Sequence, residues 1–334
     1  MKLHAPAAVI VSLLLIALIA GCTQQQNQPD NDDTAQPPRD VMKGVSLSPK
    51  SFQGSDFTDF FVKASEAGSI VTWAGDWNEL ANTQSGGPVV VTSLAAQYEY
   101  EPVIQAQFFT QSSGQLLRLL GAATREAYVN DAAAFAQRYK PPYMGFGIEV
   151  NVLYEKSPAD FDVFVSLFSD VTDAVKAASP ETKVFTVFQL EKMKGLNGGL
   201  FGGTNDPANA QWSLISRFPK ADLIAFTTYP GLIYKDPSEI PADYYGELSS
   251  KTGKPIAFTE IGWHAAASPR GWESSGDEQR EFVETFFQRI DTLNPQFVIW
   301  SFVYDQDTIE PFDSMGLLAR DGTVRPSWDA WVSA

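Results

Sequence analysis

From Lys43 onward, short apolar runs alternate with longer amphipathic runs, and this alternation constrains the fold more than any other feature of the chain. Short apolar runs are typical of buried strands, and the longer runs have the spacing of helices. Strands that alternate with helices pair in parallel, because each helix serves as a crossover connection. Eight such units over roughly 290 residues favour a single closed (β/α)8 TIM barrel over an open, doubly wound sheet.

The strands and helices can be placed on the sequence. The candidate strands are Gly44–Leu47, Ser69–Trp73, Val103–Phe108, Tyr143–Glu149, Lys183–Gln189, Leu223–Tyr229, Pro255–Glu260 and Gln296–Phe302. The helical stretches are Asp56–Ala67, Arg125–Tyr139, Ala159–Ala178, Asp243–Lys251 and Asp277–Leu293, with Gly86–Tyr100 as a weaker one. One of these helices has a continuous apolar face, which predicts packing against the sheet, formed by Phe161, Phe164, Leu167, Phe168, Val171 and Val175.

The N-terminal residues have a different pattern, that of an export signal. Lys2 and His4 precede an apolar run from Ala7 to Ala20, which is short for a membrane span and fits a signal-peptide core. The run leads into Leu18-Ile19-Ala20-Gly21-Cys22, which resembles the lipobox of prokaryotic lipoproteins. That resemblance implies that Cys22 is lipidated after cleavage. The alternative is a signal peptide with an incidental cysteine.

The next stretch, Thr23 to Val41, is rich in Gln, Asn, Asp and Pro and has few apolar residues, so it is predicted to be a disordered, flexible tether. The expected organisation is a signal peptide over 1–21, a tether over 22–41 and a barrel over 42–334. Cys22 is the only cysteine, so no disulfide can form within the chain. We expect an extracytoplasmic monomer, lipid-anchored to the membrane or cell surface.

The charge of the chain restricts its partners. The formal net charge is −16, and removal of residues 1–21 takes away one Lys and leaves −17. So acidic a protein is a poor partner for nucleic acid or anionic headgroups, and we expect membrane contact through the lipid anchor only. A neutral substrate is easier to reconcile with this charge.

The segment Pro255–Trp263 reads as a buried strand with a carboxylate at its tip. The proline bars a helix from continuing through it, and the apolar run has the length of a strand covered on both faces. Strict alternation places Ile256, Phe258 and Glu260 on one side, so Glu260 is expected to point with the core. A buried carboxylate is costly unless it is paired or used. The structural alternative is a core glutamate satisfied by an arginine.

A second carboxylate ends the fourth candidate strand. Alternation points Glu149 in the same direction as Gly145 and Gly147, whose lack of side chains leaves room inside a barrel. The fourth and seventh strands face each other across an eight-stranded barrel, which brings Glu149 toward Glu260. Two carboxyl groups about 5–5.5 Å apart are what retaining glycoside hydrolysis requires.

Aromatic and polar residues stand at the other strand ends. Aromatic faces stack on sugar rings, and amide and hydroxyl groups bond to sugar hydroxyls. A single tryptophan is more often a core residue, but four near strand tips favour a binding role. Gln107 and Glu191 stand at tips as well. The candidate substrate-binding residues are Trp73, Trp77, Asn151, Gln189, Tyr229, Trp263, His264 and Trp300.

From Lys43 to Val332 the chain resembles the clan A glycoside hydrolases. Thr259-Glu260-Ile261-Gly262-Trp263 is similar to the nucleophile strand of the endo-β-1,4-galactanase family and its relatives. The resemblance implies that Glu149 is the acid/base and Glu260 the nucleophile. It also implies that Tyr229, within Thr228-Tyr229-Pro230, holds the nucleophile, and that Trp300 forms the floor of the sugar site.

Two positions depart from the clan pattern. The clan usually has Asn directly before the acid/base, where this chain has Ile148, and Asn151 could replace it only if the strand end bends suitably. No convincing counterpart exists for the arginine that many clan members place near the second strand. Both departures keep open a barrel that binds glycans without cleaving them.

Several other chemistries can be set aside. After signal removal the only histidine is His264, and no Gly-x-Ser-x-Gly elbow occurs, which argues against a serine hydrolase. Histidine–cysteine zinc sites are excluded, a Ca²⁺ site of oxygen ligands stays open, and no cofactor is implied. The sequence predicts a lipid-anchored retaining glycoside hydrolase that acts on a β-linked, largely neutral polysaccharide or oligosaccharide. The alternative is a non-catalytic glycan-binding surface lipoprotein with a degenerate glycosidase barrel.

Overall fold

The computed structural model of the chain describes residues 41–267 and 272–334. The predicted signal peptide, Cys22 and all of the predicted tether except Val41 lie outside the described residues. Within them, eight parallel strands close into a barrel, and the predicted (β/α)8 fold is confirmed. The strands are β1 (Lys43–Ser46), β2 (Ile70–Asp76), β3 (Glu101–Gln107), β4 (Tyr143–Phe146), β5 (Lys183–Gln189), β6 (Leu223–Thr228), β7 (Ile256–Ile261) and β8 (Val298–Trp300).

Each strand pairs with its neighbours in the chain, and β1 closes the barrel by pairing with β8, where Lys43 lies opposite Val298 and Val45 opposite Trp300. All eight predicted strands are present at the predicted places. Strand β4 is the main difference, since it ends at Phe146 rather than at the predicted Glu149.

Helices follow the strands and cover the barrel. They are α1 (Gly54–Ala67), α2 (Gly87–Tyr98), α3 (Ala122–Tyr139), α4 (Val150–Lys156), α5 (Pro158–Ala178), α6 (Leu190–Met193), α7 (Leu248–Lys251), α8 (Gly276–Ile290) and α9 (Pro326–Ser333). Short 3-10 helices lie at Trp77–Ala81, Gly199–Phe201, Pro207–Asn209, Trp212–Arg217, Pro230–Leu232, Pro237–Glu239 and Phe312–Ser314. The predicted helix Asp243–Lys251 is only partly helical, because its first half forms turns and only α7 is regular.

The barrel has an interior core and a second core between strands and helices. The interior core is formed by Ile70, Val103, Tyr143, Ile148, Phe185, Val187, Leu223, Ala225, Ala257, Phe297 and Ile299. The outer core includes the six apolar residues predicted for the buried face of α5, all of which are buried. Full burial of each phenylalanine among them contributes roughly 1.5–3 kcal/mol, which is what holds this long helix on the barrel.

Strand β7 contains one extra residue that strict alternation does not anticipate. Phe226 lies opposite Phe258 and Thr227 opposite Glu260, so Thr259 is the residue inserted between them. Phe258 packs outward, with its ring 5.2 Å from that of Phe286 on α8. The prediction that Phe258 and Glu260 share one face is therefore wrong, because the bulge reverses the phase and returns Glu260 to the barrel opening.

The end of β4 is irregular for a related reason. A Cβ on Gly145 would meet the interior ring of Phe185 at 2.5 Å, whereas a Cβ on Gly147 would meet the ring of Phe164 on α5 at 2.7 Å. The two glycines thus face opposite cores, and the prediction that both point with Glu149 is wrong for Gly147. Gly147 (φ 76°) and Glu149 (φ 60°) adopt left-handed backbone conformations, and these turn the chain toward the barrel opening.

Two small sheets lie outside the barrel. Phe302–Tyr304 pairs in parallel with Gly316–Leu318, and Phe109–Thr110 pairs in antiparallel fashion with Gln115–Leu116. No helix among residues 41–267 and 272–334 is long and apolar enough to cross a membrane.

Candidate active site

The tip of β6 connects three glutamates, of which Glu149 and Glu191 are buried and Glu260 is partly buried. Thr227 Oγ1 donates to Glu149 Oε1 at 2.7 Å, and Thr228 Oγ1 donates to Glu191 Oε1 at 2.7 Å. The Tyr229 hydroxyl donates to Glu260 Oε2 at 2.7 Å. We call these three consecutive residues the β6 tip. Since β6 lies between β5 and β7, its tip can reach carboxylates that arrive from both sides.

Glu149 is 8% exposed and precedes α4, where its left-handed backbone serves as the N-terminal boundary of that helix. Burial and the nearby Glu260 carboxylate raise the pKa of Glu149 to about 8, although the Thr227 hydroxyl opposes this rise. A carboxyl group in this setting keeps its proton at neutral pH. Glu149 is therefore suited to donate a proton.

Glu260 is held differently. It lies opposite Thr227 in the β6–β7 ladder, and its partner Tyr229 also lies 2.8 Å from Ser301 Oγ. Tyr229 has one hydroxyl proton, which it donates to Glu260, and the single proton of Ser301 Oγ can go to the Tyr229 oxygen or to the Ile261 carbonyl at 2.8 Å. Burial raises the pKa of Glu260, and the bond from Tyr229 opposes this rise by stabilising the ionised form. Of the two facing groups, Glu260 is the one suited to ionise first.

A cavity of about 470 Å³ opens beside Glu260 at the carboxyl ends of the strands. Trp73 is among the residues that line this cavity, although it is 5% exposed and belongs to the outer core, and Gly75 and Gly87 leave the space that its indole occupies. Phe52, which is 70% exposed, and Phe302 add further aromatic surface. The other lining residues are Ser46, Leu47, Thr72, Ala74, Glu79, Gly87 and Ser301.

The other three predicted tryptophans lie in the outer core and not at the cleft. Trp77 stacks on the ring of Tyr128 at 4.7 Å, Trp263 stacks on Phe282, and Trp300 lies edge-on to Trp331. All three are fully buried. Their predicted role as sugar platforms is wrong, because each is fully buried among outer-core side chains. Alternation from the interior Ile299 would have identified Ser301, rather than Trp300, as the cleft residue.

The predicted polar binding residues differ in whether their polar groups are already bonded within the protein. Asn151 Oδ1 accepts from the Gln189 backbone N–H at 2.8 Å, and its amide donates to the Gln189 carbonyl and to Gln211 Oε1. Asn151 is thus fully used in joining α4 to β5 and cannot bind substrate as predicted. Gln189 stands in the inward phase of β5, and its Oε1 is buried without a partner among the described residues.

His264 is 1% exposed and stacks on Trp263, so it does not line the cleft as predicted. Burial lowers the pKa of His264 to about 4, so its ring is neutral at physiological pH. Neither ring nitrogen has a partner within the described part of the chain.

Ile148, at the position where the clan usually has asparagine, is 3% exposed and belongs to the interior core. Its backbone is held by Gln107, whose amide donates to the Ile148 carbonyl at 2.9 Å and accepts from the Ile148 N–H at 3.3 Å. The side chain of residue 148 therefore points into the barrel rather than toward a sugar.

Arg118, which follows β3 in the chain, lies beside the end of β2. Arg118 forms a two-pronged ion pair with Asp76, with both N–O distances at 2.7 Å. Burial raises the pKa of Asp76, but the bonds from Arg118 and from the Asn78 N–H outweigh it and place the pKa below its ordinary value. The pair fixes the end of β2 and does not line the cavity.

The described residues contain no group of three or more His, Cys, Asp or Glu side chains arranged to hold a metal ion. The cleft residues that sequence reasoning missed are Phe52, Glu79, Thr227, Ser301 and Phe302, together with the role of Glu191. Thr227 and Ser301 carry a sequence signal, the inward phase of their strands, whereas the others depend on loop conformation.

No family model matches the chain. No curated protein sequence matches it. Solved structures do match, and many of them are glycoside hydrolases. A family 39 glycoside hydrolase from the gut symbiont Bacteroides cellulosilyticus WH2 is similar at a TM-score of 0.60 and 16% identity, over 87% of this chain and 62% of its own. An exo-β-1,4-mannosidase from Opitutaceae bacterium strain TAV5 matches at a TM-score of 0.61 and 13% identity, over 88% and 58%.

The GH53 catalytic domain from Ignisphaera aggregans is of similar size, with a TM-score of 0.59, 15% identity and coverage of 89% of this chain and 97% of that domain. The chain spans less than two thirds of the length of the family 39 and mannosidase structures. At these identities the likeness shows a fold, that of the TIM-barrel glycoside hydrolases.

Proposed function

We propose that the chain is a retaining glycoside hydrolase that cleaves a β-linked, largely neutral polysaccharide or oligosaccharide. The observation that carries this proposal is the pair of carboxyl groups supported by one strand tip. Burial and Glu260 raise the pKa of Glu149 to about 8, and Tyr229 donates a hydrogen bond to Glu260 at 2.7 Å. One group holds a proton while the other is stabilised as an anion.

In the proposed first step, Glu149 gives its proton to the glycosidic oxygen while a Glu260 oxygen attacks the anomeric carbon. The bond to the leaving sugar breaks, the leaving group departs as an alcohol, and a glycosyl ester forms on Glu260. In the second step, Glu149 takes a proton from water, the water oxygen attacks the anomeric carbon, and Glu260 is released as a carboxylate. The product keeps the anomeric configuration of the substrate.

The residues that line the cavity favour binding of an uncharged sugar unit. Its aromatic lining residues are Phe52, Trp73 and Phe302, and its lining includes the carboxylates of Glu79 and Glu260 but no lysine or arginine. Carboxylates accept hydrogen bonds from sugar hydroxyls and repel an anionic sugar. We therefore expect uronic acid units to be poor substrates at this position.

The test is release of reducing sugar from a panel of β-linked polysaccharides and aryl glycosides. For any substrate that the wild type cleaves, Glu260→Gln is expected to reduce kcat/KM by several orders of magnitude without loss of melting temperature. Glu284→Gln, which changes an exposed glutamate on α8, is the matched control and should leave the rate unchanged.

Azide can separate the two roles. A small anion can enter the space left by a deleted carboxylate, so azide should rescue Glu260→Ala with formation of a glycosyl azide of inverted configuration. The same anion should rescue Glu149→Ala with retained configuration, because there it attacks the glycosyl–enzyme. Equal activity of Glu260→Gln and wild type would refute the assignment. A wild type that binds glycans but releases no sugar would instead favour the glycan-binding alternative.

We also propose that the mature protein is exported and anchored through lipid on Cys22. A signal-peptide core, small residues and the only cysteine of the chain coincide at this position. Because a single acyl chain gives only marginal membrane binding, stable anchoring would require the several chains of a mature lipoprotein.

A further inference from the structure

We propose that Glu191 is a positioning residue for the hydrolytic reaction, since its carboxylate holds the Thr228 hydroxyl and the backbone N–H of Tyr229, the residue that bonds Glu260. The inference rests on the proposed function. Glu191 makes no hydrogen bond to either reacting carboxylate among the described residues, so it would act through its neighbours and not on the substrate.

The first support is the bonding of one carboxylate oxygen. Glu191 lies in α6, directly after β5, and is 0% exposed. Its Oε1 accepts from Thr228 Oγ1 at 2.7 Å, from the Tyr229 N–H at 3.1 Å and from the Tyr244 hydroxyl at 3.0 Å. Burial raises the pKa of Glu191, and these three donors oppose that rise because they stabilise the ionised form.

The second support is the path from Glu191 to the nucleophile. Tyr229 is bonded to Glu191 through its backbone N–H and to Glu260 through its hydroxyl. A shift of Glu191 therefore moves the residue that orients the Glu260 carboxylate. Errors of about 1 Å in such placement can cost on the order of 10²-fold in rate.

The third support is the charge distribution. The titratable groups that face Glu191 are Tyr234, Tyr244, Tyr245 and Lys194, and those that face Glu149 are Glu260, Tyr229, Glu191 and Lys192. Lys194 is paired with Glu247, burial lowers its pKa to about 8, and the nearby Glu191 charge opposes that fall. The Glu191 charge also raises the pKa of Glu149, by less than burial and the Glu260 charge do.

A merely structural glutamate would be expected to satisfy both carboxylate oxygens. The Oε2 of Glu191 is instead buried with no partner among residues 41–267 and 272–334. Leaving a charged oxygen unpaired costs free energy, which the three bonds to the other oxygen offset only in part. Such a cost is typical of positions kept for function.

The test compares Glu191→Gln with Glu191→Asp. The glutamine oxygen can still accept all three bonds, so this variant removes the charge and places an amide group at the unpartnered Oε2 position. We expect the alkaline limb of its kcat/KM profile to move to lower pH by about 0.5–1 unit, with kcat several-fold lower at pH 8 and KM little changed. Glu191→Asp keeps the charge and should keep the alkaline limb, while the shorter side chain displaces Tyr229 and lowers kcat.

The control for general destabilisation is Ser327→Ala, which removes a buried 2.5 Å hydrogen bond to Gln279 remote from the cleft. It should lower the melting temperature and leave both pH limbs in place.

A second variant is needed if Glu191→Gln fails to fold. Tyr244→Phe removes one of the three donors to Glu191 and should lower kcat while KM is unchanged. An unchanged kcat in that variant would overturn the positioning role.

A readout without substrate separates this inference from the proposed function. Carboxyl-carbon NMR titration, with the Glu149 signal identified by its loss in Glu149→Gln, should show a lower Glu149 pKa in Glu191→Gln. If the wild type cleaves nothing and the titration still shifts, the charge effect holds and the proposed function fails. If the wild type is active and neither the titration nor the pH limb moves, the role proposed for Glu191 is overturned.

Discussion

Two costly features coincide at Glu149: a buried carboxyl group and a left-handed backbone. A non-glycine residue with φ near 60° costs about 1–3 kcal/mol and persists only where the surroundings fix it. The Thr227 hydroxyl and the start of α4 supply that fixation. The proton that burial retains on Glu149 then has a consequence for stability that can be measured without a substrate.

Glu149→Gln is expected to gain stability relative to the wild type as the pH rises from about 5 to 8. The folded pKa of about 8 lies above the ordinary value of 4.5, so the folded state binds the extra proton and the wild type loses stability through this interval. The variant has no such proton, and the difference in unfolding free energy should grow by roughly 2–5 kcal/mol. Thermal denaturation at pH 5 and pH 8 measures it, and a pH-independent difference would contradict a neutral Glu149.

Ile148→Asn is expected to reduce stability and not to raise activity, although it restores the residue usual in the clan. The new amide would lie in the interior core, where an unpaired polar group costs about 1–3 kcal/mol. Melting temperature and kcat/KM should both fall. Ile148→Val, which stays apolar, is the matched control. An increase in kcat/KM for the asparagine variant would show that the side chain reaches the sugar after all.

At the scale of strands and helices, the sequence predicts position better than orientation. The eight strands follow from the repeated apolar runs, and the buried face of α5 follows from its helical spacing. Orientation at the strand tips does not follow, because one inserted residue, Thr259, reverses the phase of β7, and a pair of left-handed residues redirects the end of β4. Both irregularities depend on neighbouring strands, which a local pattern does not contain.

The same difference between position and orientation explains which candidate site residues were predicted correctly. Glu149, Glu260 and Tyr229 come together because barrel topology brings the fourth, sixth and seventh strand ends to one opening, where the β7 bulge and the left-handed β4 turn direct the two carboxyl groups. Trp77 and Trp263 do not reach it, since in the loops after β2 and β7 the large apolar rings pack beneath the helices. Burial of such rings is a stronger local preference than exposure at a cleft.

Gly147→Ala tests whether the turn at the end of β4 places Glu149. A methyl group there would lie 2.7 Å from the ring of Phe164 and would have to adopt a φ of 76°. We expect a loss of about 1–3 kcal/mol in unfolding free energy, together with a lower kcat because Glu149 is displaced. Gly253→Ala is the control, since a Cβ at Gly253 has no neighbour within 4 Å. Unchanged kcat in a folded Gly147→Ala protein would show that the turn does not place Glu149.

At the scale of the whole molecule, the barrel joins its two ends. Lys43 Nζ, at the start of β1, donates to the carbonyl oxygens of Trp331 at 2.6 Å and Val332 at 3.0 Å, near the end of α9. The first strand of the barrel is thereby connected to its last helix. The N-terminal limit of the folded unit can be tested on this basis.

A chain that begins at Val41 is expected to be soluble and as stable to heat as the full protein, because it retains β1 and Lys43. The same chain with Lys43→Met should melt at a lower temperature, which provides the comparison. A loss of several degrees on truncation at Val41 would show that the Gln- and Asn-rich stretch packs on the barrel.

In the full chain, Cys22→Ala should leave the barrel folded and active but move it out of the membrane fraction or leave it unprocessed.

The β6 tip determines how the site responds to motion of the barrel. Because three successive residues each bond a different carboxylate, a displacement of β6 acts on all three groups at once. A movement of β4 or of β7 relative to β6 alters the spacing of Glu149 and Glu260. The side-chain bonds from the β6 tip that oppose such a movement are Thr227 to Glu149 and Tyr229 to Glu260. The tolerance of the site to thermal distortion thus depends on both of these residues.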